Sequence, residues 1–173
     1  MLLSSTDCLF LMQCEVVKGE SHDPSRQVGA VIASPAGHLL ATGSNRPPEV
    51  MRLTQRDSVA AIKQDPDWKY FMLEHAERNA INNARELGHS LVNATMYGTL
   101  FPCADCARAI AVAGIRRLVV PSPERNRLGD KRWEAHFYYA RMILDMAGVQ
   151  LDFFQPEDIN SIELGNDRSL GRK

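Results

Sequence analysis

The chain has 173 residues, enough for one domain, with 45% hydrophobic and 24% charged residues in an ordinary globular mix. A net charge of −1 provides no overall basic field, which counts against DNA or RNA as the main partner. No apolar run approaches the roughly 18 residues of a membrane span.

The N-terminal stretch "MLLSSTDCLFLMQCEVVKGE" lacks a basic leader and a small-residue cleavage site, and acidic residues interrupt it. It reads as a first helix, capped by Ser4, Ser5 or Thr6 and carrying Leu9, Phe10, Met12, Val16 and Val17. A cytoplasmic protein is therefore expected. In that setting its four cysteines are metal ligands, catalytic groups or buried thiols rather than disulfides. "GESHDPS" breaks the helix, because Asp23-Pro24 favours a turn. "QVGAVIAS" and "HLLATGS" are β-rich runs joined by "PAG" as a hairpin. From Asn45 to about Asp67 three prolines mark a long connection with room for one short helix, and long connections are often functional.

"HAERNAINNARELG" spaces Ala76, Ala80, Ile81, Ala84 and Leu87 as a helix, with Gly88 as its stop. "ATMYGTLF" reads as a strand, "CADCARAIAVAG" as a helix closed by Gly114 and "RRLVVP" as a strand. "RWEAHFYYARMILDMAG" is an amphipathic helix and "VQLDFF" a last strand. Strand and helix alternate in this later part, which argues for a largely parallel sheet with helices on both faces. The domain is expected over residues 1–155, with a polar tail at 156–173.

Cys103 and Cys106 stand at i and i+3 in the first turn of a helix, so both thiols face one way. The helix N-terminus is electropositive and favours thiolates. Two convergent thiolates are half of a zinc site. Cys8 and Cys14 lie among core-like residues of the first helix and are expected as buried thiols. The better third ligand is His75, also at a helix start. Three protein ligands leave a tetrahedral Zn2+ one open position, the mark of a catalytic site. Glu77, two residues on, is then the base beside that position and not a fourth ligand.

The pattern H-x-E…P-C-x-x-C resembles the cytidine deaminase superfamily, and within it most the deoxycytidylate deaminases. "DPSRQVGAVI", "ATGSNRPP", "KYFMLEHAERNAI", "TLFPCADCARAIAVAGIRRLVV" and "ARMILDMAGVQLDFF" carry the resemblance, from about Asp23 to Phe154. It implies a three-layer α/β/α fold around a five-stranded mixed sheet, and a homo-oligomer. It implies His75, Cys103 and Cys106 as zinc ligands and Glu77 as proton shuttle. Asn45 would hydrogen-bond the sugar. The Ala76 amide would meet the pyrimidine carbonyl, and the Phe101 carbonyl the amino group. The substrate implied is a cytosine nucleotide, dCMP first.

Two departures fall where substrate identity is set. "GSNRPP" has Arg46 where the family's loop has glycine. "PSPERNRLGDKRW" is long and lacks the tyrosine common near the sugar. Arg46 and Arg125 are candidates for the substrate phosphate, with Arg127, Lys131 and Arg132 in the same basic group. Tyr138 or Tyr139 could replace the tyrosine. Trp68 and Tyr70 precede the zinc helix as core or lid residues, and His22, His38 and His89 read as solvated. Competing readings are a deaminase of a nucleoside, free base, modified pyrimidine or tRNA base, and a zinc-stabilised binding protein without activity.

Overall fold

The computed structural model of the chain describes residues 3–123 and 131–155, the side chains of residues 131 and 132 excepted. Arg125, Arg127 and the tail at 156–173 lie outside the described residues. The elements run α1 Ser5–Lys18, β1 Gly29–Ala33, β2 Leu39–Ser44, a 3-10 turn Glu49–Met51, α2 Gln55–Gln64 and α3 Trp68–Met72. They continue as α4 Ala76–Glu86, β3 Thr95–Gly98, α5 Ala104–Ala113, β4 Arg117–Pro121, α6 Lys131–Met146 and β5 Gln150–Phe154.

The five strands form one sheet in the order β2-β1-β3-β4-β5. β1 is antiparallel to both β2 and β3, whereas β3, β4 and β5 run parallel. The sheet is therefore mixed: the hairpin sets the first half antiparallel, and helical crossovers set the second half parallel.

Strand alternation divides the core in two. Ala30, Ile32, Met96, Leu118 and Val120 pack on the face covered by α4, α5 and α6. Val31, Ala33, Tyr97 and Val119 pack on the other face, with Phe10, Leu11, Cys14 and Val17 of α1. Cys8 and Cys14 are buried, as expected of them. Among the described residues no helix is long and apolar enough to cross a membrane.

Two expectations about elements need correction. The strand through "ATMYGTLF" stops at Gly98, so Phe101 is not on it. Thr99 leaves the end of the central strand β3 while bonded to Gly29 in both directions: its N–H donates to the Gly29 carbonyl (3.0 Å) and its hydroxyl accepts from the Gly29 N–H (3.1 Å). Leu100 to Pro102 lie in the connection from β3 to α5. The connection after Asn45 holds more structure than one short helix. α2 opens on a capping box, with Thr54 accepting from the Asp57 N–H (3.2 Å) and Asp57 accepting from the Thr54 N–H (3.0 Å). His22 is also not solvated. It is buried, and its Nδ1 lies 2.8 Å from the Ser58 hydroxyl. His38 and His89 are exposed, as read.

Candidate active site

α4 is placed by its own asparagines. Its sequence puts His75, Asn79 and Asn83 four residues apart, on one side of the helix. Asn79 donates to the carbonyls of Ser44 (2.9 Å) and Arg46 (3.0 Å), and Asn83 to that of Thr42 (2.8 Å). These bonds fix α4 against β2, an edge strand whose backbone groups need partners. His75 is the N-cap residue of α4, in extended backbone. Glu74 accepts from the His75 N–H (2.8 Å) and from Arg78 Nε (2.7 Å), which holds the helix entry.

α5 begins the same way. Its N-cap is Cys103, whose sulfur accepts from the Cys106 N–H at 3.5 Å. His75 Nδ1 lies 3.5 Å from Cys103 Sγ and 3.4 Å from Cys106 Sγ. The three donor atoms fall within 4.8 Å of one another, close enough to share one metal ion. Two sulfurs and one imidazole suit Zn2+, and two helix N-termini aimed at the cluster support its thiolates.

The cluster's own charges favour a metal. Cys103 is pulled down to about 3, first by the hydrogen bond from the Cys106 thiol and then, against burial, by His75. His75 is pushed up to about 9 by its hydrogen bond to Cys103, against burial. Cys106 is raised, because it donates to Cys103 and is buried. A divalent cation takes the place of the protons these groups share, binding the sulfurs as thiolates and the imidazole as a neutral ring.

Glu77 is buried, and its carboxyl is raised above the ordinary carboxylate range by burial, which the nearby His75 partly opposes. Its oxygens are outside the three-donor cluster. It therefore has the placement of a base next to a metal rather than that of a ligand.

A cavity of about 560 Å³ opens beside the cluster. Of the residues expected at the site, His75, Ala76, Glu77, Phe101, Cys103 and Asn45 line it. Asn45 spends most of its amide on the backbone: Nδ2 donates to the Arg26 carbonyl and Oδ1 accepts from the Val28 N–H, both at 2.8 Å. One of its two N–H groups stays available to a ligand.

Arg46 does not join them. It lines a separate cavity of about 240 Å³ with His22 and Arg52, and its guanidinium lies 3.6 Å from Glu49. Its backbone accounts for this. The Arg46 carbonyl accepts from the Glu74 N–H and from Asn79, which turns the side chain away from the cluster. The described cations on the large cavity are instead Arg26 and Lys69, which sequence reasoning missed. Lys69 is bound to Asp23 Oδ2 (3.0 Å) and to the Ser25 hydroxyl (2.8 Å). Trp133 and Phe137 of α6 supply aromatic walls. Tyr138 and Tyr139 are exposed and outside the lining, whereas Tyr70 is within it and Trp68 is not.

A family model described as "Cytidine and deoxycytidylate deaminase zinc-binding region" matches residues 4–122. The chain belongs to this family. It is a hydrolytic deaminase of the family's C–N bond chemistry, and Zn2+ is its cofactor. A deoxycytidylate deaminase of Pongo abelii is 33% identical over 137 residues, 79% of this chain and 72% of that one. That of Enterobacteria phage T4 is 39% identical over 134 residues, 75% of this chain and 63% of that one. The solved dCMP deaminase of cyanophage S-TIM5, in complex with dCMP and dUMP, superposes with a TM-score of 0.64. It is 21% identical over 89% of this chain and 100% of that one, a likeness of fold.

Proposed function

We propose that the chain converts dCMP and water to dUMP and ammonia. The observation that carries this is the joining of two things in one cavity: the His75, Cys103, Cys106 donor set with Glu77 beside it, and the arginine Arg26 at the cavity's edge. The relatives' names support the substrate.

His75, Cys103 and Cys106 would hold Zn2+, which when bound supplies the Lewis acidity that makes water a nucleophile near neutral pH. Glu77 takes a proton from the attacking water and gives it to the ring nitrogen; it then takes the remaining proton of the added oxygen and gives it to the amine, which leaves as ammonia while that oxygen becomes the carbonyl. Its raised pKa suits both steps, since a weak carboxylate base would hold the proton too briefly. The amide of Ala76 belongs to the first turn of α4 and has no partner within its helix, so it can donate to the pyrimidine carbonyl. The Phe101 carbonyl would accept from the amino group, and the remaining Asn45 N–H would meet the sugar. Arg26 would pair with the phosphate, because a dianion leaving water needs a charged donor.

Among the described residues, α6 exposes Tyr138, Tyr139, Met142 and Met146, an apolar stripe that supports a homo-oligomer. The four cysteines are buried and not disulfide-bonded, in keeping with a reducing cytoplasm.

Ammonia release from cytosine, cytidine, deoxycytidine, CMP, dCMP and adenine and guanine derivatives tests the reading. The highest kcat/KM is expected for dCMP. Preference for a nucleoside or free base would replace it with a deaminase of another amino-bearing ring.

A further inference from the structure

Arg26 is held at every point where the described residues touch it. Its N–H donates to Asp23 Oδ1 (3.2 Å) and its carbonyl accepts from Asn45 (2.8 Å). Asp23 also accepts from the Ser25 N–H (2.9 Å) and from Lys69, so the turn that carries Arg26 is fixed on both sides. The guanidinium has no carboxylate partner among the described residues. It lies over the ring of Trp133 instead, 5.0 Å from the centroid.

That choice of partner has a chemical consequence. The N–H donors of a guanidinium lie in its plane. A carboxylate partner would occupy them, whereas a ring beneath the face leaves the whole edge available to an anion. Lys69 makes the contrast: its ammonium is already committed to Asp23 and Ser25. Trp133 is itself supported. Its ring lies 6.0 Å from Phe137, which meets Phe101 edge-on at 5.8 Å. Phe101 is buried and directly precedes Pro102 and Cys103. A row of rings thus ties Arg26 to the residues at the metal cluster.

We propose that Trp133 is a positioning residue that acts through Arg26: its ring face holds the guanidinium edge toward the cavity and so favours a nucleoside monophosphate over the neutral nucleoside. This rests on the dCMP reading above. An arginine has many rotamers to lose on binding an anion, and a ring that already sets the guanidinium removes part of that loss. The effect belongs to binding of the charged end, not to the chemistry at the base.

Kinetics of zinc-loaded Trp133→Ala, Trp133→Leu and Trp133→Phe on dCMP and deoxycytidine test it, with calorimetric binding of dUMP and deoxyuridine. Trp133→Ala should raise KM for dCMP by about three- to thirtyfold, the range of a cation–π contact. The kcat should stay within about twofold, and deoxycytidine kcat/KM should fall by much less than that of dCMP. Trp133→Phe, which keeps a π face, should recover most of the loss. Trp133→Leu, which keeps bulk without one, should not, and this pair decides the matter if the alanine variant fails to fold. Added to Arg26→Ala, the Trp133 substitutions should cost nothing further. Equal losses for dCMP and deoxycytidine would make Trp133 a plain wall and overturn the proposal, as would an unchanged KM. Wild-type dUMP binding no tighter than deoxyuridine overturns it too. If wild type turns over no dCMP, the substrate reading fails on its own. The dUMP arm still judges the pair: weaker dUMP binding in Trp133→Leu with deoxyuridine unchanged supports it, and unchanged dUMP binding overturns it.

Discussion

Glu77 and Cys103 sit beside the same point and are expected to fail in opposite ways. Cys103 is the helix cap and one of three metal donors, so Cys103→Ala should lose nearly all zinc on metal analysis and lower stability, because the metal ties α4 to α5. Glu77 is outside the donor set, so Glu77→Gln should keep zinc and fold yet lose at least about a hundredfold in turnover. Zinc loss in Glu77→Gln, or retained turnover, would remove it from the role of base proposed for it. That these residues would meet at one point was legible in the sequence because each spacing sits inside one helix start, where two or three positions settle the geometry. Arg26, Lys69 and Trp133 were not. They reach one cavity from a turn, a five-residue helix and the start of α6, and no local spacing links them. The "DPS" turn showed as a turn, but nothing in it tells that Asp23 would anchor Arg26. Arg46 was misplaced for the related reason that its direction is set by a tertiary bond, from Asn79.

At the scale of elements, the histidine of the metal cluster depends on how closely α4 approaches β2. Gly43 makes that approach possible: a Cβ there would overlap the Ala76 carbonyl and the Ala80 backbone. Gly43→Ala should therefore push the first turn of α4 outward, and with it His75. Backbone atoms cannot yield as side chains do, so a loss of about 1–3 kcal/mol is expected, as for overpacking, together with weaker zinc retention against a chelator. Gly29 is the control. A Cβ there would strike the Cys14 carbonyl of α1, on the opposite face of the sheet from the cluster. Gly29→Ala should destabilise in urea but hold zinc as wild type does once folded. Equal zinc loss in both would mean that general loosening, not the α4 seat, sets metal affinity. The alternation of strand and helix was readable because apolar periods are long in α1, α4 and α5. α2 was blurred because it buries only Ser58 and Ile62, too thin a stripe to show as a period. Its signal was the Thr54-x-x-Asp57 capping box. The strand before Cys103 was read too long because Leu100 and Phe101 are apolar for the cavity and core, not for the sheet.

Across the whole molecule, one charged network joins the first helix to the last strand. Arg117 of β4 donates to Asp7 of α1 (2.6 Å) and to Asp152 of β5 (2.5 Å), and the Tyr97 hydroxyl of β3 donates to Asp7 (2.9 Å). Both aspartates are buried. Burial alone would raise the Asp7 carboxyl, but the bonds from Arg117, Ser4 and Tyr97 outweigh it and hold it well below the usual carboxylate range. The sign of the pH effect follows. A folded pKa below the unfolded value of about 4 adds stability that is complete above that pH. It is lost as pH falls from there through the folded pKa. Asp7→Asn leaves Arg117 with Asp152 alone, so its cost at pH 7 should be about 3 kcal/mol, the low end for one partner of a buried pair. Urea unfolding of wild type and variant at a series of pH values measures the gap. It should be widest near neutrality and narrow steadily below about pH 4, since protonated Asp7 and asparagine are both neutral. Comparing the two proteins at each pH cancels the release of metal in acid, which both share. A gap of the same size at pH 3 and pH 7 would show that Asp7 acts through shape and hydrogen bonding, with its charge contributing nothing to the hold of α1 on the sheet.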